Sequence, residues 1–219
     1  MTRRRTRTAL IAASAATVLL LTACGGGEGH DAGGSDVTPG ADEKTGEATE
    51  PEAEPADDGG EGRPEINLGA LQHIYEDDFT GDPVMDAVLR DSQGFQDAVA
   101  EAVVTFAADR PSLAHYIAGD ALSRTLTIVA SVRENGLTSE GTVRHFNHTV
   151  TLLDEGTATF SLCRDFSEVR TVDWETREVV EEADPDAAPT LYVGRLEKAG
   201  NDVWQTVEYE TFQQAEECR

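Results

Sequence analysis

The apolar positions of this chain change rhythm three times. Thr8 to Leu21 is a charge-free run of mostly Ala, Ile, Val and Leu. Gly25 to Pro64 holds almost no large apolar side chain, and from Asp82 onward apolar residues return at regular spacings. Val84, Val88, Phe95, Val99, Val103 and Phe106 recur at steps of three and four residues or their sums, the stripe of an amphipathic helix. Asp82-Pro83 opens this helix with a capping acid and a proline at the first helical position. Asp109-Arg110-Pro111 closes it, because the residue before a proline avoids helical dihedrals. Gly94 is expected to break or bend it.

Leu122, Leu126, Val129 and Val132 fit a second helix that starts after Asp120 and closes at Asn135-Gly136; the cap signals and the length favour it. Leu126, Ile128, Ala130 and Val132 also alternate as a strand would, so residues 121–135 stay open between the two. From Thr142 the period is two. Phe146, Val150 and Leu152 share a face, Asp154-Glu155-Gly156 is a turn, and Ala158, Phe160 and Leu162 share a face with Cys163 opposite. Thr190 to Leu196 and Val203 to Phe212 follow, joined by the short Ala199-Asp202 link of a hairpin. An acidic loop with two prolines spans Glu181 to Pro189. Helices first and an antiparallel sheet of about four strands afterwards predict an α+β domain, helices on one face of the sheet.

Composition divides the chain into residues 1–23, 24–64 and 65–219. Arg3, Arg4, Arg5 and Arg7 precede the apolar run, which closes on Leu21-Thr22-Ala23-Cys24. The run is too short for a comfortable span of about 20 residues, and it reads as a secretory signal. Gly25 to Pro64 contains 11 Gly, four Pro, 12 acidic and two basic residues and no aromatic. Such a segment cannot bury enough apolar surface to offset ordering entropy, and it is expected to be a disordered tether with a reach of roughly 35 Å. His30 stands alone in it. After removal of residues 1–23 the chain carries 13 basic against 42 acidic residues, a formal charge of −29, which repels nucleic acid phosphates and anionic headgroups. Cys163 and Cys218 remain as a pair outside the reducing cytosol and are expected to form a disulfide.

Leu21-Thr22-Ala23-Cys24 resembles the lipobox of bacterial lipoproteins, which implies cleavage before Cys24 and acylation of its sulfur. The bias to arginine, 15 residues against only Lys44 and Lys198, suggests an actinobacterial origin. The helices-then-sheet order, Val150 leading through Asp154 to Ala158, Cys163-Arg164-Asp165, Val172-Asp173, Trp204 after a polar turn and the near-terminal Cys218 resemble the NTF2-like (cystatin-like) domains of actinobacterial lipoproteins. The resemblance covers about Gly81 to Cys218. It implies long helices wrapping a curved sheet into a cone whose mouth can hold a ligand, and a disulfide from a middle strand to the C-terminal tail. Some such domains are isomerases or dehydratases and many only bind or scaffold, so fold alone does not set function.

Candidate chemistry is sparse. His145 and His148 form an HxxH, but strand residues three apart face opposite ways, so no metal site is expected there and both are read as surface or edge histidines. An isomerase needs a carboxylate base in an apolar cone opposed by a tyrosine or a protonated acid; Asp165 with Tyr192 or Tyr209 is the set available, and Arg164 can simply pair with a nearby carboxylate. Glu181, Glu182, Asp184 and Asp186 offer oxygen ligands but lack the glycine of a calcium loop. Asn147-His148-Thr149 matches a glycosylation sequon within a strand, and there is no Gly-rich phosphate loop and no GxSxG. The expectation is therefore no catalytic residues, no metal and no cofactor.

The function expected is that of a lipoprotein on the outer face of the cytoplasmic membrane, binding or scaffolding an envelope protein or cell-wall component, without nucleic acid. The alternative is a cone that binds, or isomerises, a small apolar molecule. Oligomeric state is not encoded in any feature above. If Cys24 carries the anchor, Cys24→Ser abolishes incorporation of labelled fatty acid; a variant that still takes up label refutes the lipobox reading.

Overall fold

Asp82 caps the first and longest helix as its sequence predicts. Its Oδ1 accepts hydrogen bonds from the Val84 and Met85 N–H groups at 2.9 and 3.0 Å, and α1 (Pro83–Thr105) follows. The computed structural model describes residues 62–219; residues 1–23, Cys24, His30 and all but the end of the 24–64 tether lie outside them. Phe106, in the left-handed region at φ 55°, ends α1 before the expected Asp109-Arg110-Pro111 stop, and its ring stacks on Trp174 at 5.2 Å. Pro111 instead starts the short α2 (Pro111–Tyr116). Gly94 does not break α1. A Cβ there would lie 2.5 Å from Tyr116 Cε1, so the glycine makes room for a ring of α2. Residues 121–135 are helical, within α3 (Gly119–Asn135), which ends on Gly136 at φ 65°. Its buried residues Ala121, Thr125 and Val129 step by four, which fixes a helical face against the sheet.

The sheet has six strands, β1 (Leu71–Tyr75), β2 (Leu137–Leu152), β3 (Thr157–Asp173), β4 (Val179–Glu181), β5 (Thr190–Lys198) and β6 (Trp204–Gln213). Their order is β1-β2-β3-β5-β6, with β4 paired to the far end of β3. β1 runs parallel to β2 and every other pairing is antiparallel. The expectation of about four strands misses β1, which precedes the first periodic segment, and β4, three exposed residues at the edge of the acidic loop. The α+β class holds, and the helices lie on one face of a curved, unclosed sheet, the arrangement that the NTF2-like resemblance implies.

The β2–β3 pair carries two bulges, one between Thr142 and Arg144 with the extra residue on β3 and one between Phe146 and Thr149 with the extra residue on β2, and such bulges bend a strand and raise its twist. Between helices and sheet lies a main core built on Val88, Phe95, Phe160, Leu162, Leu196 and Trp204, none more than 2 % exposed, with a smaller cluster of Leu71, Ala100 and Val143 beside it. On β3, Ala158, Phe160 and Leu162 face this core, and Cys163 points to the opposite side, where it is bonded to Cys218 with Cα atoms 5.6 Å apart. The C-terminal turn Glu216–Cys218 is thereby fixed over the outer face of the sheet. No helix among the described residues is long and apolar enough to cross a membrane.

The bridge closes a loop of 55 residues that contains the β3–β6 half of the sheet. Restricting that loop in the unfolded chain is worth about 4 kcal/mol. Cys218→Ser is expected to lower the thermal midpoint by roughly 10 °C, read by circular dichroism, and denatured oxidised protein should show no thiol from Cys163 or Cys218.

Candidate ligand-binding site

The inner face of the sheet and the buried face of α1 enclose a cavity of about 190 Å³. Leu71, Phe95, Val99, Val103, Val143 and Phe166 supply much of its wall, with Tyr192 and Tyr209 at one side. Two groups in the wall are strongly polar, Arg164 and Gln96. Arg164 continues the inward series of β3 two residues beyond Leu162, so strand alternation itself turns the guanidinium inside. It is 7 % exposed and Gln96 is 1 % exposed. Arg164 Nη1 donates to Gln96 Oε1 at 3.2 Å, and the guanidinium lies 4.8 Å from the ring centroids of both Phe166 and Tyr192. Among the described residues no carboxylate comes within ion-pair distance of it.

Acids do approach this region, but each is committed. Asp97 Oδ1 accepts from His73 Nδ1 at 2.7 Å and from the Tyr75 hydroxyl at 2.7 Å. Glu101 accepts from the Ser112 hydroxyl at 2.5 Å and from the Asn67 N–H at 3.1 Å. Asp91 pairs with Arg63 at 2.7 Å and accepts the Trp204 N–H at 2.9 Å; burial, the dominant influence, pushes its carboxyl up, against those two partners.

The histidines are placed otherwise than strand alternation predicts. Asn147 takes a left-handed conformation at φ 52°, the extra residue of the second bulge. The insertion reverses the alternation, so both His145 and His148 turn inward, 0 % and 8 % exposed, while Phe146 sits opposite Cys163 in the ladder on the outer side. They are therefore not surface or edge residues, and Phe146 does not share a face with Val150. The His145 ring stacks on Tyr75 at 4.4 Å and lies 4.6 Å from His73. Burial first, then the positive charge of Arg164, drives its basicity far down, and burial lowers His148 to about 4. His148 Nε2 lies 2.9 Å from Ser92 Oγ, whose proton goes to the Leu89 carbonyl at 2.7 Å; the imidazole then donates from Nε2, and burial favours its neutral form. The cluster thus brings buried imidazole rings together with the Asp97 carboxylate and the Arg164 cation. Among the described residues no group of three or more His, Cys, Asp or Glu is arranged to hold a metal ion.

The set drafted for isomerase chemistry is not brought together. Tyr192 and Tyr209 line the cavity with stacked rings 6.3 Å apart. Asp165 faces the other side of β3, where it lies 3.7 Å from Arg144 Nη1 and accepts the Ser167 N–H at 2.8 Å. Glu181 ends β4, and Asp184 Oδ1 accepts the Asp186 N–H at 3.0 Å within the exposed loop. Sequence reasoning passes over Gln96 and the inward role of Arg164. The signal was present: Gln96 is a polar letter inside the helical stripe and Arg164 extends the 158-160-162 alternation. His73, Tyr75 and Asp97 carry no comparable signal, since their meeting depends on the parallel pairing of β1 with β2.

No protein-family model matches the sequence, and no curated protein matches it. Among solved structures, a ketosteroid isomerase-like protein from Erwinia carotovora atroseptica is 17 % identical, with a TM-score of 0.39 over 61 % of this chain and 98 % of its own. The intermembrane-space region of the chloroplast protein ARC6 is 12 % identical, TM-score 0.40, over 59 % and 97 %. A ketosteroid isomerase-type protein from Shewanella frigidimarina is 12 % identical, TM-score 0.35, over 59 % and 98 %. Similarity at these levels leaves every functional statement to the geometry of this chain.

The buried imidazoles carry a pH signature. His148 is protonated near pH 6.5 when unfolded and near 4 when folded, so stability is complete above about pH 7 and is lost as pH falls from 6.5 towards 4. The loss attributable to this residue is roughly 2–3 kcal/mol by pH 4.5. His145 and His73, also lowered by burial, act in the same direction, and Asp91, raised by burial, acts against it. Urea unfolding at pH 7.5 and 4.5 should show a smaller acid loss for His148→Gln than for wild type. Equal losses would mean that the imidazole is not held neutral.

Proposed function

We propose that this chain is a membrane-anchored extracytoplasmic lipoprotein whose α+β domain binds a small, largely apolar molecule in its cone without transforming it. The observation that carries the binding reading is the cavity of about 190 Å³ walled by Phe, Val and Leu between α1 and the sheet. An apolar cavity of about 150 Å³ is sufficient for a benzene-sized guest. Proton abstraction next to a carbonyl would need a carboxylate against that guest, and none of the residues lining the cavity is an acid. Asp97 is the nearest thing to a base in chemical type, yet His73 and Tyr75 occupy its Oδ1. The lipobox-like Leu21–Cys24 and the acidic, aromatic-free segment behind it support an anchored domain held off the membrane. In that setting the molecule bound comes from the envelope, and the charge of −29 disfavours nucleic acid as a partner.

Ala100 lines the cavity from α1 and is 6 % exposed. Ala100→Phe should fill the space. Titration of the full chain with toluene, followed by NMR, is expected to give saturable binding in wild type and none in the variant, whose near-ultraviolet circular dichroism stays native-like. Absence of binding in wild type, or binding unchanged in a folded variant, would remove the cone as the site and leave scaffolding by the outer surface.

A further inference from the structure

We infer that the ligand of this cavity is a monocarboxylate with a compact apolar body, its carboxylate seated on Arg164 and Gln96. The inference rests on the reading of the cone as a binding site and names the chemistry that site selects. Arg164 is a permanent cation, 7 % exposed and lining an otherwise apolar space. Its one hydrogen-bonded protein partner is the neutral Gln96, while Arg164 Nε and Gln96 Nε2 have no acceptor among the described residues. Buried cations in folded proteins are paired or otherwise compensated. The acids on the adjoining helix cannot serve, because Asp91, Asp97 and Glu101 are held by Arg63, His73 and Ser112 respectively. The histidines beside it are neutral and supply no negative charge. What Arg164 Nε and Gln96 Nε2 lack is an acceptor at hydrogen-bond distance, and an anionic ligand supplies it.

Shape selects which anion. A guanidinium presents donors in a planar fork that matches a carboxylate in two parallel hydrogen bonds. One positive charge balances one carboxylate, whereas a phosphate dianion would leave excess charge in an apolar wall. About 190 Å³ accommodates one ring or a short branched chain beyond the headgroup, next to Phe95, Val99 and Val143.

Benzoate and benzyl alcohol have nearly the same size and differ in the charged group. Calorimetric or NMR titration of the full chain with each is expected to favour benzoate by about tenfold or more, the scale of a hydrogen bond to a charged partner. Arg164→Met should abolish that preference, and Gln96→Met should reduce it several-fold. Benzyl alcohol binding as well as or better than benzoate in wild type overturns the carboxylate assignment and leaves the apolar-binding cone standing. Failure of both probes to bind overturns the two together. The wild-type comparison decides the question even if Arg164→Met does not fold.

Discussion

The position of one extra residue in β2 governs what this domain holds inside. A regular strand would send His145 and His148 to opposite faces, and whichever faced out would leave its inner place to another side chain. Asn147, at φ 52°, breaks the alternation. Its Nδ2 donates to the Glu217 carbonyl at 3.1 Å, and the following His148 N–H donates to Asp77 at 2.9 Å. One contact comes from the tail that the Cys163–Cys218 bridge fixes, the other from the segment after β1. A left-handed non-glycine residue is strained by about a kcal/mol or more and persists where its surroundings over-determine it. The bulge therefore links the disulfide, the parallel edge strand and the inner polar cluster into one arrangement.

α1 supplies the complementary half. Its buried face carries Asp91, Gln96 and Glu101 among Val88, Phe95 and Ala98, which an apolar-only view of a core would forbid. Each polar group ties another element to the helix. Asp91 receives the first N–H of β6 and the side chain of Arg63; Glu101 receives Ser112 from α2 and the Asn67 backbone. Removing a neutral donor from such a buried carboxylate costs about 1.5–3 kcal/mol, the scale of a hydrogen bond to a charged group. These contacts make the entering chain, α2 and β6 depend on the same helix, and they explain why its acids are unavailable to Arg164.

Elements with a strong period were legible in the sequence. The Asp82 cap, the helix ending at Gly136, the inward set Ala158-Phe160-Leu162 and the 199–202 hairpin all follow from local signals that tertiary structure does not oppose. The failures have tertiary causes. Gly94 looked like a breaker because the ring of Tyr116, 22 residues on, could not be placed beside it. The two histidines and Phe146 were assigned the wrong faces because a bulge leaves no mark in hydrophobic periodicity, and Asn is only weakly a left-handed signal. β1 escaped notice since five residues paired in parallel to a distant strand have no turn to announce them. The candidate site was half visible: its apolar wall in the stripes of α1 and β3, its polar floor only once those stripes faced each other.

Charge inside and charge outside act over different ranges here. The chain is strongly acidic, with 12 acidic and two basic residues between Gly25 and Pro64 alone, and at physiological ionic strength the field of such charges decays within about 8 Å. An anionic ligand approaching the cone is therefore repelled weakly and briefly, with no long-range steering to speed its arrival. Arg164, beneath a low-dielectric wall, acts only after the ligand has shed its water, where a matched carboxylate interacts far more strongly than at the surface. Selection then resides in the depth of the cavity rather than at its mouth: small inorganic ions and polar anions lose hydration without gaining apolar contact, and neutral apolar molecules gain contact while leaving the guanidinium unpaired. Only a molecule with both parts meets both demands. A surface that repels polyanions and an interior that seats one small carboxylate are consistent properties of the same acidic, arginine-cored domain.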